Sequence, residues 1–354
     1  METTDILELH GTNFHELTIK ILNTIDLNKL IIDKQTQIII KPDIKTINGV
    51  FYSTTPVILA TLLKYLQDNK FTNIALAFGS YIGEDLDNLL EKCKYSTIIK
   101  KFNVPILGNK EKDYTKKTIG GTEYTIIKKC LNAPFFINLV TSAQDETTIF
   151  HNALQAMQTI LHEKNRDLFN DNPNFYKSIA FLNYLVRANL VIVEPDSLSD
   201  IQASKKLYAT LDNLLADAYY ANTLEMKPFE VEYIELSSKL GIGCADVNKA
   251  NIINLIDNTK APTNNRAKLA SYINDSSPCE DCYNNLLTAL SMLDKEQLLD
   301  KLKEKVFIGQ GWREFSEDGI GIGRCTALFK NYVMGCPPAP EKTYNYLKEL
   351  ITKQ

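Results

Sequence analysis

The spacing of apolar residues changes several times along this chain, and each change marks an element. Phe14, Leu17, Ile21 and Ile25 recur at helical intervals, so residues 1–28 predict an amphipathic helix laid on a sheet. The β-branched run Thr36–Ile40 predicts a strand ending at Lys41-Pro42-Asp43. Thr54-Thr55-Pro56 opens a predicted helix through Leu66, with proline in the first turn, where a missing N–H costs nothing. Ile74–Phe78 predicts a second apolar strand closed by Gly79, and residues 83–93 predict another helix. Strand, helix, strand, helix in this rhythm predicts an α/β fold: a mostly parallel sheet flanked by helices, with right-handed crossovers.

The pattern then loosens. An apolar segment at 105–107, the alternation over Thr122–Lys128 and the solid run Pro134–Val140 predict further strands. Thr148–Leu161, which contains His151, predicts one long helix, and Lys177–Val186 and Phe229–Leu240 predict two more. Leu190–Val193 predicts a strand ending in Glu194-Pro195-Asp196. Residues 260–277 are rich in Asn, Pro, Ser, Lys and Thr and predict a boundary, giving an α/β domain over 1–260 and a smaller α+β module over 261–354. The module is expected to hold helices over Tyr283–Leu293 and Lys295–Glu304, a strand over Lys305–Ile308 and a terminal helix from Pro340. No internal repeat is evident.

Composition narrows the function classes. With 354 residues, 44% of them hydrophobic, the chain has room for more than one core. Its 39 basic and 43 acidic residues leave a net charge near −4, which gives no electrostatic case for nucleic acid. No apolar run approaches the roughly 20 residues that cross a bilayer. The start, METTDILELH, is acidic and lacks the basic and apolar regions of a secretory signal. A cytoplasmic protein without a membrane span is therefore expected. Of seven cysteines, four crowd the last quarter, and in a reducing compartment such clustering speaks for metal ligation over disulfides.

Those four are Cys279 and Cys282 in SPCEDC, Cys325 in GIGIGRC and Cys336 in GCPPAPE. Thiolates are soft ligands for iron or zinc. The Cys-x-x-Cys pair precedes a predicted helix, whose unpaired N–H groups favour thiolate. Gly335 permits a sharp bend, and Pro337 and Pro338 stiffen the loop around Cys336. Closed zinc sites usually show two compact pairs. Here one pair is compact and two ligands arrive singly, which favours a [4Fe-4S] cluster, with zinc as the alternative. Gly309, Gly311, Gly321 and Gly323 are expected to shape its surroundings and Trp312 to shield it. GCPPAPE also resembles the loop that supplies one ligand of the proximal [4Fe-4S] cluster in the small subunit of hydrogenases and the corresponding subunit of respiratory complex I.

A second candidate is a crevice in the α/β domain. Lys41, Asp43 and Lys45 lie at one strand end, and Glu194 and Asp196 at another, where open α/β sheets place ligands. The lysines suit a carboxylate or phosphate; the acids suit general acid–base work or a hard divalent ion. His151 falls nearby. Solvated strand ends account for these charges equally well, and a lone helical histidine is more often structural. No nucleophile elbow or Ser-His-Asp order is present.

Four stretches carry a family resemblance: IIIKPDI, YSTTPVILATLLKYLQDN, ANLVIVEPDSLSDIQ and FEVEYIELSSKLGI. Together they resemble the domain of unknown function family 362 over about residues 37–251. The family's basic Pro-Lys-x-Lys-Thr-His stretch after the strand at Phe135–Leu139 is replaced here by LVTSAQDETT, which removes the basis for an anion-binding role of that loop. Some members carry a tail with Cys-x-x-Cys, Gly-Gln-Gly, Gly-Ile-Gly-x-Cys and Gly-Cys-Pro-Pro, and all four positions are filled here. The resemblance implies an iron–sulfur protein whose N-terminal domain has no settled role. The expected activity is electron transfer or an oxidoreductase reaction with a redox partner protein or a small-molecule substrate. A non-redox iron–sulfur lyase or isomerase is disfavoured because a fourth cysteine leaves no open iron; a zinc-stapled binding module is the other alternative.

Overall fold

The structure is a computed structural model that describes residues 1–11, 13–47, 50–80, 83, 85–145, 149–169, 174–195, 205–255, 269 and 272–353. The chain divides into two compact units, one formed by residues 1–197 and 204–256 and the other beginning at residue 257.

The larger unit is built on a mixed, mainly parallel sheet. Its strands are β1 (Asp5–Gly11), β2 (Ile38–Lys41), β5 (Ile74–Ala77), β6 (Ile106–Leu107), β9 (Phe135–Asp145), β10 (Ile149–His151), β11 (Leu190–Pro195), β12 (Lys205–Thr210) and β13 (Asn251–Asn254). Two hairpins stand apart from it, β3 (Ile44–Ile47) with β4 (Val50–Ser53), and β7 (Tyr114–Ile119) with β8 (Thr122–Ile127). The sheet order is β13-β1-β12-β11-β9-β2-β5-β6, with β10 beside β9. β11, β9, β2, β5 and β6 run parallel, whereas β12 is antiparallel to both its neighbours. The central strands are apolar on both faces, as a sheet covered on both sides requires: all four residues of β2 are buried, as are Phe135–Ala143 of β9. One face packs on the helices Phe14–Ile25 and Pro56–Asp68 through Ile21, Leu22, Leu59 and Leu62. The helices Phe175–Leu185 and Glu232–Lys239 pack elsewhere, through Ile179, Leu182, Tyr233 and Ile234.

Two expectations for this unit are corrected. β1 precedes the first helix, where residues 1–28 predicted helix alone. Residues 149–161 are not a long helix but β10, one short helix (Ala153–Ala156) and a 3-10 turn (Met157–Ile160); Thr148 lies outside the described residues. The reason is capture of the backbone by other elements. Asn138 donates to the Ala153 carbonyl at 3.0 Å, Lys41 donates to that of Ala156 at 3.0 Å, and Asp217 accepts from the Leu154 N–H at 3.2 Å. Such bonds compete with a continuous helical ladder.

The smaller unit has a four-stranded parallel sheet in the order β14 (Ile273–Asp275), β15 (Val306–Ile308), β16 (Ile320–Ile322), β17 (Asn331–Val333). The helices Glu280–Lys295 and Pro340–Lys353 share a core with it through Leu286, Leu290, Leu293, Leu347 and Ile351. Lys295–Glu304 is not a helix: the preceding helix ends at Lys295, Gln297 turns left-handed (φ 57°), and only a short 3-10 turn, Leu299–Lys301, follows. β15, β16 and β17 are each three residues long and each is followed within two residues by a glycine of positive φ, Gly309, Gly323 and Gly335. Among the described residues no helix is long and apolar enough to cross a membrane.

Candidate functional site

In the larger unit the carboxyl ends of β2 and β9, the start of β3 and the end of β10 bring four of the expected residues together. Asp43 Oδ2 is hydrogen-bonded to His151 Nε2 at 3.0 Å and accepts the Thr141 N–H at 3.2 Å. Lys41 Nζ stands 3.6 Å from Asp43 Oδ1, and Lys45 Nζ 3.8 Å from Oδ2. Lys45 also donates to the Thr141 carbonyl. Asp43 and Thr54 exchange bonds, the Asp43 N–H to Thr54 Oγ1 at 2.9 Å and the Thr54 N–H to the Asp43 carbonyl at 3.0 Å. Hairpin β3–β4 thus folds back over the strand end. Lys41 and Asp43 are 0% exposed, so neither offers surface to a ligand, while Lys45 keeps 8% and His151 5%.

Burial by itself pushes the Asp43 carboxyl up, but Lys41, His151 and Lys45 outweigh it and hold the group well below the usual carboxylate range. Burial lowers Lys41 to about 8 against the opposing pull of Asp43. Burial, then the Lys45 charge, lowers His151 to about 4. At neutral pH the cluster therefore holds an ionised Asp43 and a neutral His151.

Glu194 lies at the end of β11, in register with Thr141. It accepts from the Thr55 N–H at 3.2 Å and the Thr55 hydroxyl at 2.7 Å, and so holds the start of the helix Pro56–Asp68. Asp196 lies outside the described residues. Sequence reasoning passed over Thr141 and Ser142. Their hydroxyls, with Asp43 Oδ1, are buried without a hydrogen-bond partner among the described residues. A small polar ligand or water at the strand ends would satisfy such groups. The signal was present in β9, where an apolar strand turns to Thr-Ser just before it leaves the sheet.

At the opposite ends of β9 and β11 lies an open cavity of about 660 Å³, lined by Arg187, Asp212 and Cys244 among others. Asp212, its carboxyl raised by burial, is spent on backbone: it accepts from Leu214 at 2.8 Å, Leu215 at 3.2 Å and Cys244 at 2.7 Å. A Cβ at Gly243 would stand 2.0 Å from Asp212 Oδ1, which accounts for the glycine of the GIGC turn.

In the smaller unit the turns after β14, β16 and β17 carry the four cysteines. Cys279 caps the helix Glu280–Lys295 and Cys282 is buried in its first turn. Cys325 and Cys336 each stand three residues past their strands, Cys325 half-buried and Cys336 exposed. The turns are tied together. The Arg324 N–H donates to the Gly335 carbonyl at 2.8 Å, the Gly323 N–H to that of Val333 at 2.9 Å, and Asn285 Nδ2 to that of Pro338 at 3.0 Å. Gly323 is left-handed (φ 89°) and a Cβ there would lie 3.9 Å from Cys282 Sγ, so the glycine leaves space beside the thiol. Burial, then hydrogen bonding to Cys279 and the charges of Cys279, Cys336 and Cys325, pushes the Cys282 thiol up to about 12. The four candidate donors are all sulfur, the soft ligand type that suits iron or zinc. Among the described residues no group of three or more Cys, His, Asp or Glu is placed to hold a single metal ion.

Of the flanking glycines, Gly309, Gly311 and Gly321 lack side chains for packing: a Cβ would come within 2.0 Å of the Ser276 carbonyl, 2.1 Å of Ser276 Oγ and 2.6 Å of Thr326 Oγ1, respectively. Trp312 stands edge-on to Phe307, with ring centroids 5.1 Å apart. Cys93 and Cys130 are buried in the larger unit.

Comparison with characterised proteins gave no match. Among solved structures, the lactate racemase apoprotein from Thermoanaerobacterium thermosaccharolyticum is similar at a TM-score of 0.42 and 13% identity, over 58% of this chain and 54% of that one. That similarity spans about half the length of the racemase chain. Residues 38–197, which contain the whole Lys41–Asp43–Lys45–His151 cluster and Glu194, match the family model described as Domain of unknown function (DUF362).

Proposed function

We propose that the protein is a cytoplasmic [4Fe-4S] protein that transfers single electrons, with Cys279, Cys282, Cys325 and Cys336 as ligands. The observation that carries this reading is the gathering of four thiols at one end of a small parallel sheet. A single zinc ion would need sulfurs about 2.3 Å from one centre. A cubane spreads its four thiolates over four irons and tolerates wider separation. A bound cluster supplies one-electron transfer at a potential set by its charge, its hydrogen bonds and its exposure.

The chain's own residues do the rest. The helix N-terminus at Cys279 favours thiolate. The core around Leu286 and Ile322 keeps water from one side, and the exposed Cys336 leaves the other side open to a redox partner protein or a small-molecule substrate. A reducing cytoplasm keeps the cysteines out of disulfides.

Purification without oxygen, followed by iron, sulfide and zinc analysis, tests the reading. About four irons and four sulfides per chain are expected, with a brown colour that Cys336→Ser weakens or abolishes. Zinc without sulfide, or a cluster that does not cycle under potentiometric titration, would sink it.

A further inference from the structure

The open cavity of about 660 Å³ at the amino ends of β9 and β11 has the volume of a small-molecule site and belongs to neither the Asp43 cluster nor the thiol group. Its shape is held by groups that bond within the chain. Asn213 Nδ2 donates to Asn183 Oδ1 at 3.0 Å, and Asn213 Oδ1 accepts from Asn138 Nδ2 at 3.0 Å. Asn183 Nδ2 donates in turn to the Leu154 and Ile179 carbonyls at 2.8 and 3.0 Å. The groups left over are of one kind. Arg187 stands 5.8 Å from the centre of the Tyr184 ring, and its guanidinium makes no ion pair or hydrogen bond among the described residues. Asn189 Oδ1 accepts the Phe136 N–H at 2.7 Å, so Nδ2 is the end of that amide without a partner among the described residues. Both are donors, and the guanidinium carries a permanent positive charge. Much of the remaining lining is apolar, with Leu30, Phe135, Leu211 and Ile242.

We propose that this cavity binds a small carboxylic acid with an apolar body, its carboxylate on Arg187 and Asn189 and its body against Leu30, Phe135, Leu211 and Ile242. Uncommitted donors call for an acceptor, and the planar guanidinium fork matches the two oxygens of a carboxylate. Apolar walls gain by covering an apolar body, which a bare inorganic anion lacks. Among the described residues Asp212 is the one carboxylate of the lining. It accepts three backbone N–H groups, two of them at the start of the helix Asn213–Thr223, which offset the repulsion it exerts on an anion. The site is independent of the iron–sulfur reading, since none of its residues lies in the smaller unit.

The test is calorimetric titration of the full chain, purified without oxygen, with octanoate, acetate and 1-octanol, on wild type, Arg187→Gln and Arg187→Lys. Cys244, half-buried in the cavity wall, reports the place of binding through its rate of alkylation by iodoacetamide, read by peptide mass. Wild type is expected to bind octanoate saturably and about tenfold more tightly than either acetate or 1-octanol, and bound octanoate should slow Cys244 alkylation. Arg187→Gln should weaken octanoate about tenfold and leave 1-octanol unchanged, which also shows that the cavity is intact; Arg187→Lys, which keeps the charge without the fork, should fall between. Absence of saturable octanoate binding, or equal affinity for 1-octanol, overturns the proposal. So does octanoate binding that Arg187→Gln leaves unchanged, or that leaves Cys244 unprotected. Loss of 1-octanol together with octanoate in Arg187→Gln overturns the ligand role in favour of a structural one.

Discussion

Both polar sites of this protein sit at the carboxyl ends of parallel strands, but they handle charge in opposite ways. In the larger unit Asp43 is surrounded by Lys41, Lys45 and His151, and the opposite charges hold one another in a place without solvent. In the smaller unit the neighbours are of one kind: burial, then Cys279, Cys336 and Cys325, pushes the Cys282 thiol up. The first arrangement pairs its charges within the chain, with Asp43 Oδ1 and the Thr141 and Ser142 hydroxyls left without a hydrogen-bond partner among the described residues. The second brings together sulfurs that, under the proposed function, a cluster would join. The difference teaches where to test for cofactor chemistry: a buried ion cluster of mixed sign is a structural device until a ligand is shown, whereas neighbouring thiols are neutral by themselves and turn to ligands only when a cation is offered.

The largest effect expected from breaking this contrast is that of Asp43→Asn. It leaves Lys41 and Lys45 near a neutral amide, with Lys41 fully buried, and removal of one partner from a buried ion group costs about 3–5 kcal/mol. Urea unfolding should show a clear drop in midpoint, and a change under about 1 kcal/mol would mean that the lysines are not held by Asp43.

His151 sharpens the same comparison through pH. Its folded pKa, about 4, lies below the ordinary 6.5, so between these values the unfolded chain binds a proton that the folded chain refuses. The stability this contributes is fully present above pH 6.5 and is lost as pH falls towards 4, by an amount on the order of a few kcal/mol. Asp43, held low, adds a further loss only as pH falls below its unfolded value near 3.8. Asp217, buried and raised well above 3.8, acts in the other direction, because its folded form keeps a proton the unfolded form releases. The informative quantity is therefore the difference between wild type and His151→Gln. That difference should slope between pH 4 and 6.5 and be flat just above; a flat difference throughout would show His151 to be solvated.

How much of this was legible beforehand depended on the range of the interactions. The parallel strands β2, β5, β9 and β11 were readable because burial on both faces writes a continuous apolar run. β1 and β12 were not, since their pairing joins residues about two hundred apart and leaves little local mark. Lys41, Asp43 and Lys45 were correctly placed at a strand end, but their burial was hidden because it comes from the β3–β4 hairpin folding back through Thr54. The thiol loops were legible from cysteine spacing alone.

A smaller effect is expected at the rim. Glu194→Gln keeps the shape but weakens two bonds to Thr55 from charge-assisted to neutral, so a loss of about 1 kcal/mol is expected, with the helix Pro56–Asp68 still formed by circular dichroism. A loss several times larger would place Glu194 within the buried ion group instead of at its edge.

The smallest effect is the most telling for the contrast. In metal-free protein Cys336→Ser replaces an exposed thiol with a group of similar size, so little packing is removed, and the change in unfolding free energy should stay within about 0.5 kcal/mol. In protein loaded without oxygen the same substitution removes a ligand, and the stability gained on loading should fall, because a group that binds only the folded state stabilises it in proportion to its affinity. Thermal unfolding of the four samples, wild type and variant, each with and without metal, reads both values together. If Cys336→Ser destabilises the metal-free chain as much as the loaded one, the exposed thiol is part of the fold, and the two sites of this protein are alike after all.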